Sequence, residues 1–293
     1  WKASEQFDLV AGIRHYKVAS ELTFSNDPQL IPKQTDDSHT IGSLALVYHA
    51  RKDLAWRFSW AQGYVFPTLL HLHTGTLFGQ GNLTRPNPNL QPEKSDNFEI
   101  GMRFQNETLT ADFAIFANQS EDYIASVLAS NLPELGWSPR ENTYANLDTA
   151  ESRGAEMLIS KLFSNSNFEW YAQGSYVRRE LDYTTFKTTD NGQPEWTGRT
   201  GIRFETEAQK NFRWYIDFYG AAGGDSDLKT TRSTSHTDSW GTLNLAAGIY
   251  LAGDQEWWFG IEALNLTDEA YRPSVDELWQ PERHLTLGAR VKF

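Results

Sequence analysis

The chain has 293 residues, a formal net charge of -12, a mean hydropathy of -0.56, 14% aromatic residues, 11 Trp and no Cys. No apolar run approaches about twenty residues, which excludes a helical membrane protein, and the acidic balance argues against a nucleic-acid partner, whose phosphates require a basic surface. A membrane barrel is not excluded, because its strands alternate apolar and polar residues and average to a polar score. The aromatic content is high for a soluble domain and matches the belts that such barrels place at both interfaces. Lack of cysteine excludes a small disulfide-stapled scaffold. Trp1-Lys2-Ala3 does not read as a secretory signal, so the chain is either mature or a piece of something longer.

Apolar residues then recur at every second position, the period of a strand with one greasy face. Phe7, Leu9, Ala11 and Ile13 oppose Asp8 and Arg14. Leu44, Leu46 and Tyr48 lead into a tight Arg51-Lys52-Asp53 corner, after which Trp56, Phe58 and Trp60 oppose Arg57, Ser59 and Gly63. Alternation breaks at Pro67 and resumes past Pro92, where Phe98, Ile100, Met102 and Phe104 oppose Asn97, Glu99 and Arg103. Leu109 to Ile115, Ala155 to Ile159, Phe168 to Ala172, Ile202 to Phe204, Phe212 to Phe218, Leu243 to Leu251 and Trp257 to Ala263 repeat the pattern. The last ten residues, His284 to Phe293, alternate cleanly and end on an aromatic, with Leu285, Leu287, Ala289, Val291 and Phe293 on one side.

The spacing predicts about twelve antiparallel strands and no serious helix. Short corners near residues 52, 106, 165, 210 and 254 alternate with long polar connections at roughly 25 to 39, 67 to 95, 128 to 142, 186 to 196, 225 to 238 and 268 to 281. Tight turns at one end and long loops at the other are expected of an up-and-down transmembrane β-barrel of the bacterial outer membrane, not of a Greek-key sandwich. On that reading the apolar rows face lipid, and Glu99, Arg103, Asp112, Glu169, Arg203 and Asp217 line a lumen.

Four motifs occur in order. Gly63-Tyr64-Val65-Phe66-Pro67-Thr68-Leu69 ends an ascending strand; Asn87-Pro88-Asn89-Leu90-Gln91-Pro92-Glu93-Lys94-Ser95 precedes Glu99-x-Gly101. Tyr144-x-Asn146 precedes Gly154-x-Glu156, and Asn265-Leu266-Thr267-Asp268 precedes Tyr271. Together they resemble the TonB-dependent outer-membrane receptors. The resemblance implies a barrel of 22 strands around an amino-terminal plug that TonB pulls from the periplasm, and energy-coupled uptake of a ferric siderophore or, in other members, haem. Residues 1–293 would then be the carboxy-terminal portion of such a barrel, without the plug domain or the first strands. Implied partners are the ligand, the missing plug and barrel half, TonB through the plug, and outer-membrane lipid; no resident cofactor, catalytic residue or metal is expected.

Candidate ligand contacts lie in the long loops. His71 and His73 fall where haem receptors carry an axial histidine, and imidazole suits iron, but Phe66 rather than alanine precedes Pro67 and ordinary loop packing competes. Arg85, Arg140, Arg232 and Arg272, with Phe78, Trp137, Trp240, Tyr271 and Trp279, could hold an anionic ferric siderophore by charge and stacking. The competing reading pairs those cations with Glu134, Glu141, Asp238 and Glu277. A function of another class, a self-contained pore or lipid-facing hydrolase, finds a nucleophile, base and carboxylate in His236-Thr237-Asp238-Ser239.

Overall fold

The computed structural model of the protein describes residues 4–26, 30, 33–78, 82–163, 166–183, 186–206, 211–230, 234–252 and 256–292. The strands are β1 (Phe7–Glu21), β2 (Gln34–Arg51), β3 (Leu54–Val65), β4 (Thr76–Phe78), β5 (Asn82–Arg85), β6 (Glu93–Gln105), β7 (Leu109–Leu128), β8 (Asn142–Leu162), β9 (Phe168–Asp182), β10 (Lys187–Thr188), β11 (Trp196–Glu205), β12 (Phe212–Gly223), β13 (Ser226–Lys229), β14 (Thr234–Thr237), β15 (Trp240–Ala252), β16 (Glu256–Leu264) and β17 (His284–Lys292). Twelve of them form one path in the order β1-β2-β3-β6-β7-β8-β9-β11-β12-β15-β16-β17, every pairing antiparallel. This is the up-and-down sheet that the alternation predicts.

Register carries the apolar face across the sheet. Leu46, Phe58, Ile100 and Ile115 stand opposite one another on β2, β3, β6 and β7, as do Phe218, Leu245, Ala263 and Leu285 on β12, β15, β16 and β17. No second sheet covers them among the described residues: Phe58 is 39% exposed, Ile100 48%, Ile115 59% and Leu285 60%. In water each such side chain, about half exposed, would forgo roughly 1 kcal/mol of burial, so a band of dozens calls for an apolar medium. Buried apolar residues gather instead near the long-loop end, where Val127, Leu147, Ala150 and Leu181 form one cluster and Leu72, Leu90 and Tyr144 another.

The opposite face is charged and concave. One cavity of about 700 Å³ touches residues from Arg57 on β3 to Trp240 on β15, which a flat sheet would hold roughly 34 Å apart over seven strand spacings. On this face Arg57 reaches Glu99 at 2.9 Å and Asp112 at 2.8 Å, and Arg103 reaches Asp112 at 2.7 Å. Farther round, Arg203 and Arg213 share Glu205 at 2.7 and 3.1 Å. Trp258 lies over Gly260, whose missing Cβ leaves the ring its space. Of the expected lumen residues, Glu99, Asp112, Arg103, Arg203 and Asp217 all bond to neighbours on this face, and Glu169 accepts from Ser160.

The long connections differ from the sequence expectation in bounds and content. Strand pairing shortens the expected 67–95 loop to 66–92, because Glu93, Lys94 and Ser95 already pair with β3. Within it a single π turn, Leu70–Thr74, is closed by Gly75, whose φ of 73° suits glycine, and the hairpin β4–β5 follows. Two 3-10 turns occupy 129–131 and 133–135, and the hairpin β13–β14 occupies the loop after β12. Phe293 and Arg232 lie outside the described residues. β1 and β17 each bond a single neighbour, so the sheet leaves two unpaired edges among the described residues.

Candidate functional site

The long-loop end gathers the motif residues, and they bond to one another. Asn87 Nδ2 donates to the Tyr144 carbonyl at 2.9 Å, and the Asn87 N–H donates to the His71 carbonyl at 2.8 Å. Asn146 accepts from the Gln91 N–H at 2.9 Å and donates to the Gln91 and Asp122 carbonyls at 2.9 and 2.6 Å. Glu93 accepts from the Ile124 N–H at 2.8 Å, and Lys33 donates to the Pro88 carbonyl at 3.1 Å. The second and third motifs are thus two halves of one clasp that fastens loop 66–92 to β7 and β8. Lys33 escaped the sequence reading, since nothing local marks a lysine that reaches a carbonyl 55 positions away.

Both histidines sit beside this clasp. His71 packs against Tyr144 with ring centroids 4.5 Å apart and planes tilted by 47°, and its Nδ1 is buried without a hydrogen-bond partner. His73 is 3% exposed, its Nε2 likewise unpartnered. Burial holds both imidazoles below their ordinary value. For His73 a hydrogen bond to the Ser20 backbone opposes that shift and nearby Lys33 adds to it. In the tautomer that bares its lone pair, each unpartnered imidazole nitrogen is chemically able to ligate a metal, but no group of three His, Asp or Glu side chains converges for one among the described residues.

The predicted cation and aromatic contacts are largely used within the loops. Arg85 forms a two-point pair with Glu141, at 3.1 and 2.9 Å, and lies 5.1 Å over the Trp137 ring, while Trp137 Nε1 donates to the Pro86 carbonyl at 3.0 Å. The guanidinium holds the Glu141 carboxyl below the usual carboxylate range. The competing ion-pair reading therefore holds for Arg85. Arg140 is exposed at the same loop. Phe78 closes β4, its side chain outside the described set.

At the other end of the loop crown, Tyr271 stacks on Trp240 at 4.7 Å and burial raises its phenol. Arg272 donates to the carbonyls of Val275 and His236 at 3.1 and 3.0 Å and lies 5.8 Å from the Trp279 ring, which is 67% exposed. Arg272 thus ties two loops together instead of pairing with Asp238 or Glu277. Asn265 donates to the Glu269 and Pro281 carbonyls, so the fourth motif also closes its own loop. Among the described residues His236 does not reach Ser239: its Nδ1 meets Asp227 at 2.8 Å and its Nε2 meets Asp238 at 3.1 Å, and these contacts raise its pKa. With both nitrogens on carboxylates, no base is left for the nucleophile.

Known proteins agree with this architecture. Solved structures that resemble the chain include the copper transporter OprC, with 14% identity over 99% of this chain and 46% of that one at a TM-score of 0.75. They also include BauA, the ferric preacinetobactin receptor from Acinetobacter baumannii, with 16% identity over 97% and 40% at 0.66. The FrpB iron transporter from Neisseria meningitidis (F5-1 variant) matches with 14% identity over 98% and 43% at 0.71. At such identity they speak for the fold alone, and the chain spans less than half the length of each. No curated protein matches it. The family model described as TonB dependent receptor-like, beta-barrel matches residues 1–266, and the chain belongs to that family.

Proposed function

We propose that the chain is the carboxy-terminal part of a 22-strand barrel in the bacterial outer membrane, and that the whole protein takes up a ferric siderophore with energy supplied through TonB. The observation that carries the membrane part is the register-matched apolar band, which stays exposed from β2 to β17 while the ionic face turns inward. The two unpaired edges at β1 and β17 agree with further strands that complete the wall, and the charged concave face suits contact with a polar plug. Arg140 and Trp279, both exposed among the loops, are our choice for first contact with the ligand, with Tyr271 and Arg272 behind them.

The test is uptake of an iron-labelled siderophore panel by cells that carry the intact protein. The reading expects accumulation that vanishes when TonB is lost; passage that persists without TonB would favour a pore. A haem reading draws support from the unpartnered nitrogens of His71 and His73. It expects a Soret shift on adding hemin that disappears in a His71→Ala/His73→Ala variant, and burial of His73 requires the loop to open first.

A further inference from the structure

Three outer connections meet at the hairpin β13–β14. Its strands pair over four residues each, and an isolated hairpin that short is marginal in water. Asp227 and His236 face each other across it, and the backbone carbonyl of each accepts from a different connection. The Gly192 N–H, from the β9–β11 connection, donates to the Asp227 carbonyl at 2.8 Å, and Arg272, from the connection between β16 and β17, donates to the His236 carbonyl at 3.0 Å. Those two connections also join each other, the Val275 N–H donating to the Gly192 carbonyl at 3.0 Å.

The His236 ring lies between two carboxylates, with Nδ1 2.8 Å from Asp227 and Nε2 3.1 Å from Asp238. A neutral imidazole has one N–H, so one of the two carboxylates would then meet a bare lone pair; only the imidazolium donates to both. The carboxylates accordingly raise its pKa, Asp227 more than Asp238. Cations on the packed segments point away from the ring. Lys229 on β13 holds its ammonium 5.3 Å over Phe186, Lys187 on β10 pairs with Asp182 at 2.7 Å, and Arg272 meets the residue at its carbonyl. Asp190, Glu195, Asp225, Asp276 and Glu277 on the same segments carry the sign of charge that favours a protonated ring.

We infer that His236 is a positioning residue: its imidazolium, spanning Asp227 and Asp238, holds the hairpin in the shape that presents the His236 carbonyl to Arg272, and loss of the proton loosens the connection that carries Tyr271 and Arg272. The tie is complete below pH 6.5 and is lost as pH rises through the raised value, the sense opposite to that of buried His73. Its consequence for ligand capture rests on the reading of Tyr271 and Arg272 as ligand contacts. The loosening itself is measured without a ligand, so its failure is distinct from failure of the uptake test.

The test is amide hydrogen exchange of the intact protein in detergent at low salt, with each rate divided by the intrinsic rate at that pH. Because the ring and both carboxylates are half-exposed or more, protection over 190–193 and 271–276 is expected to fall only roughly two- to fivefold between about pH 5.5 and about pH 9. The midpoint should lie above 6.5, and added salt should shrink the step. His236→Gln should flatten the profile at the level that the unaltered protein reaches at high pH. Asp238→Asn, at a side chain 97% exposed, should keep the fold and move the midpoint down toward 6.5. If His236→Gln disrupts the hairpin at every pH, the Asp238→Asn midpoint alone decides. Protection independent of pH, a step that survives His236→Gln, or a midpoint that Asp238→Asn leaves in place would overturn the inference.

Discussion

Replacing Asn146 should release loop 66–92 without unfolding the sheet. Its amide makes three hydrogen bonds to backbone groups, two with Gln91 and one with Asp122. At about 0.5–1.5 kcal/mol each, with partial solvent exposure, Asn146→Ala should cost about 2–3 kcal/mol locally, or about 30- to 150-fold more frequent opening. Asn146→Asp keeps the acceptor for the Gln91 N–H and loses both donations, so it should fall between. The assay is amide hydrogen exchange of the intact protein in micelles. Protection should drop over 87–93 and around 122 to 124, while residues of β15, β16 and β17 keep theirs. Unchanged exchange over 87–93, or loss of protection throughout, would refute the idea that these motif residues form a local clasp.

Three further outcomes follow from the same geometry. His73 is buried with its pKa below the ordinary 6.5, so the folded loop binds fewer protons than the unfolded one. Its contribution is complete above pH 6.5 and is lost as pH falls through and below that value; protection of 66–78, measured against the intrinsic exchange rate at each pH, should fall on acidification, and His73→Gln should flatten the profile. A double-mutant cycle on Arg85→Ala and Glu141→Ala should return a coupling of roughly 1–3 kcal/mol in loop protection, and additive effects would deny the two-point pair a role. Gly260→Ala should cost about 1–3 kcal/mol in urea unfolding because Trp258 occupies the space a Cβ needs, whereas Gly241→Ala, with nothing within 4 Å, should be near neutral.

The sheet was legible in the chain because its determinants are local. Residues such as Phe58 and Ile100 alternate with Arg57 and Glu99, and a one-residue slip would exchange the two faces, so the pattern sets both strand and side. The alternation of short and long connections likewise foretold the meander. Loop interiors were not legible, because their bonds span large separations: Asn87 to Tyr144, Arg85 to Glu141, Lys33 to Pro88. Neither the π turn at Leu70–Thr74 nor the four-residue strands β13 and β14 has enough alternation to stand out. The histidines were visible as residues, but their burial depends on packing among Tyr144, Ser20 and Lys33 from three other segments.

Adjacent positions on one strand test the central claim most directly. Residues 1–293 contain no cysteine, so with any cysteine elsewhere in the intact protein replaced, Ile100→Cys and Glu99→Cys each offer a single thiol for a fluorophore in vesicles. Brominated lipid should quench the label at 100 strongly and the label at 99 weakly, since the two side chains leave opposite faces of β6. Equal quenching at both sites, or none at 100, would mean that something other than lipid covers the apolar rows.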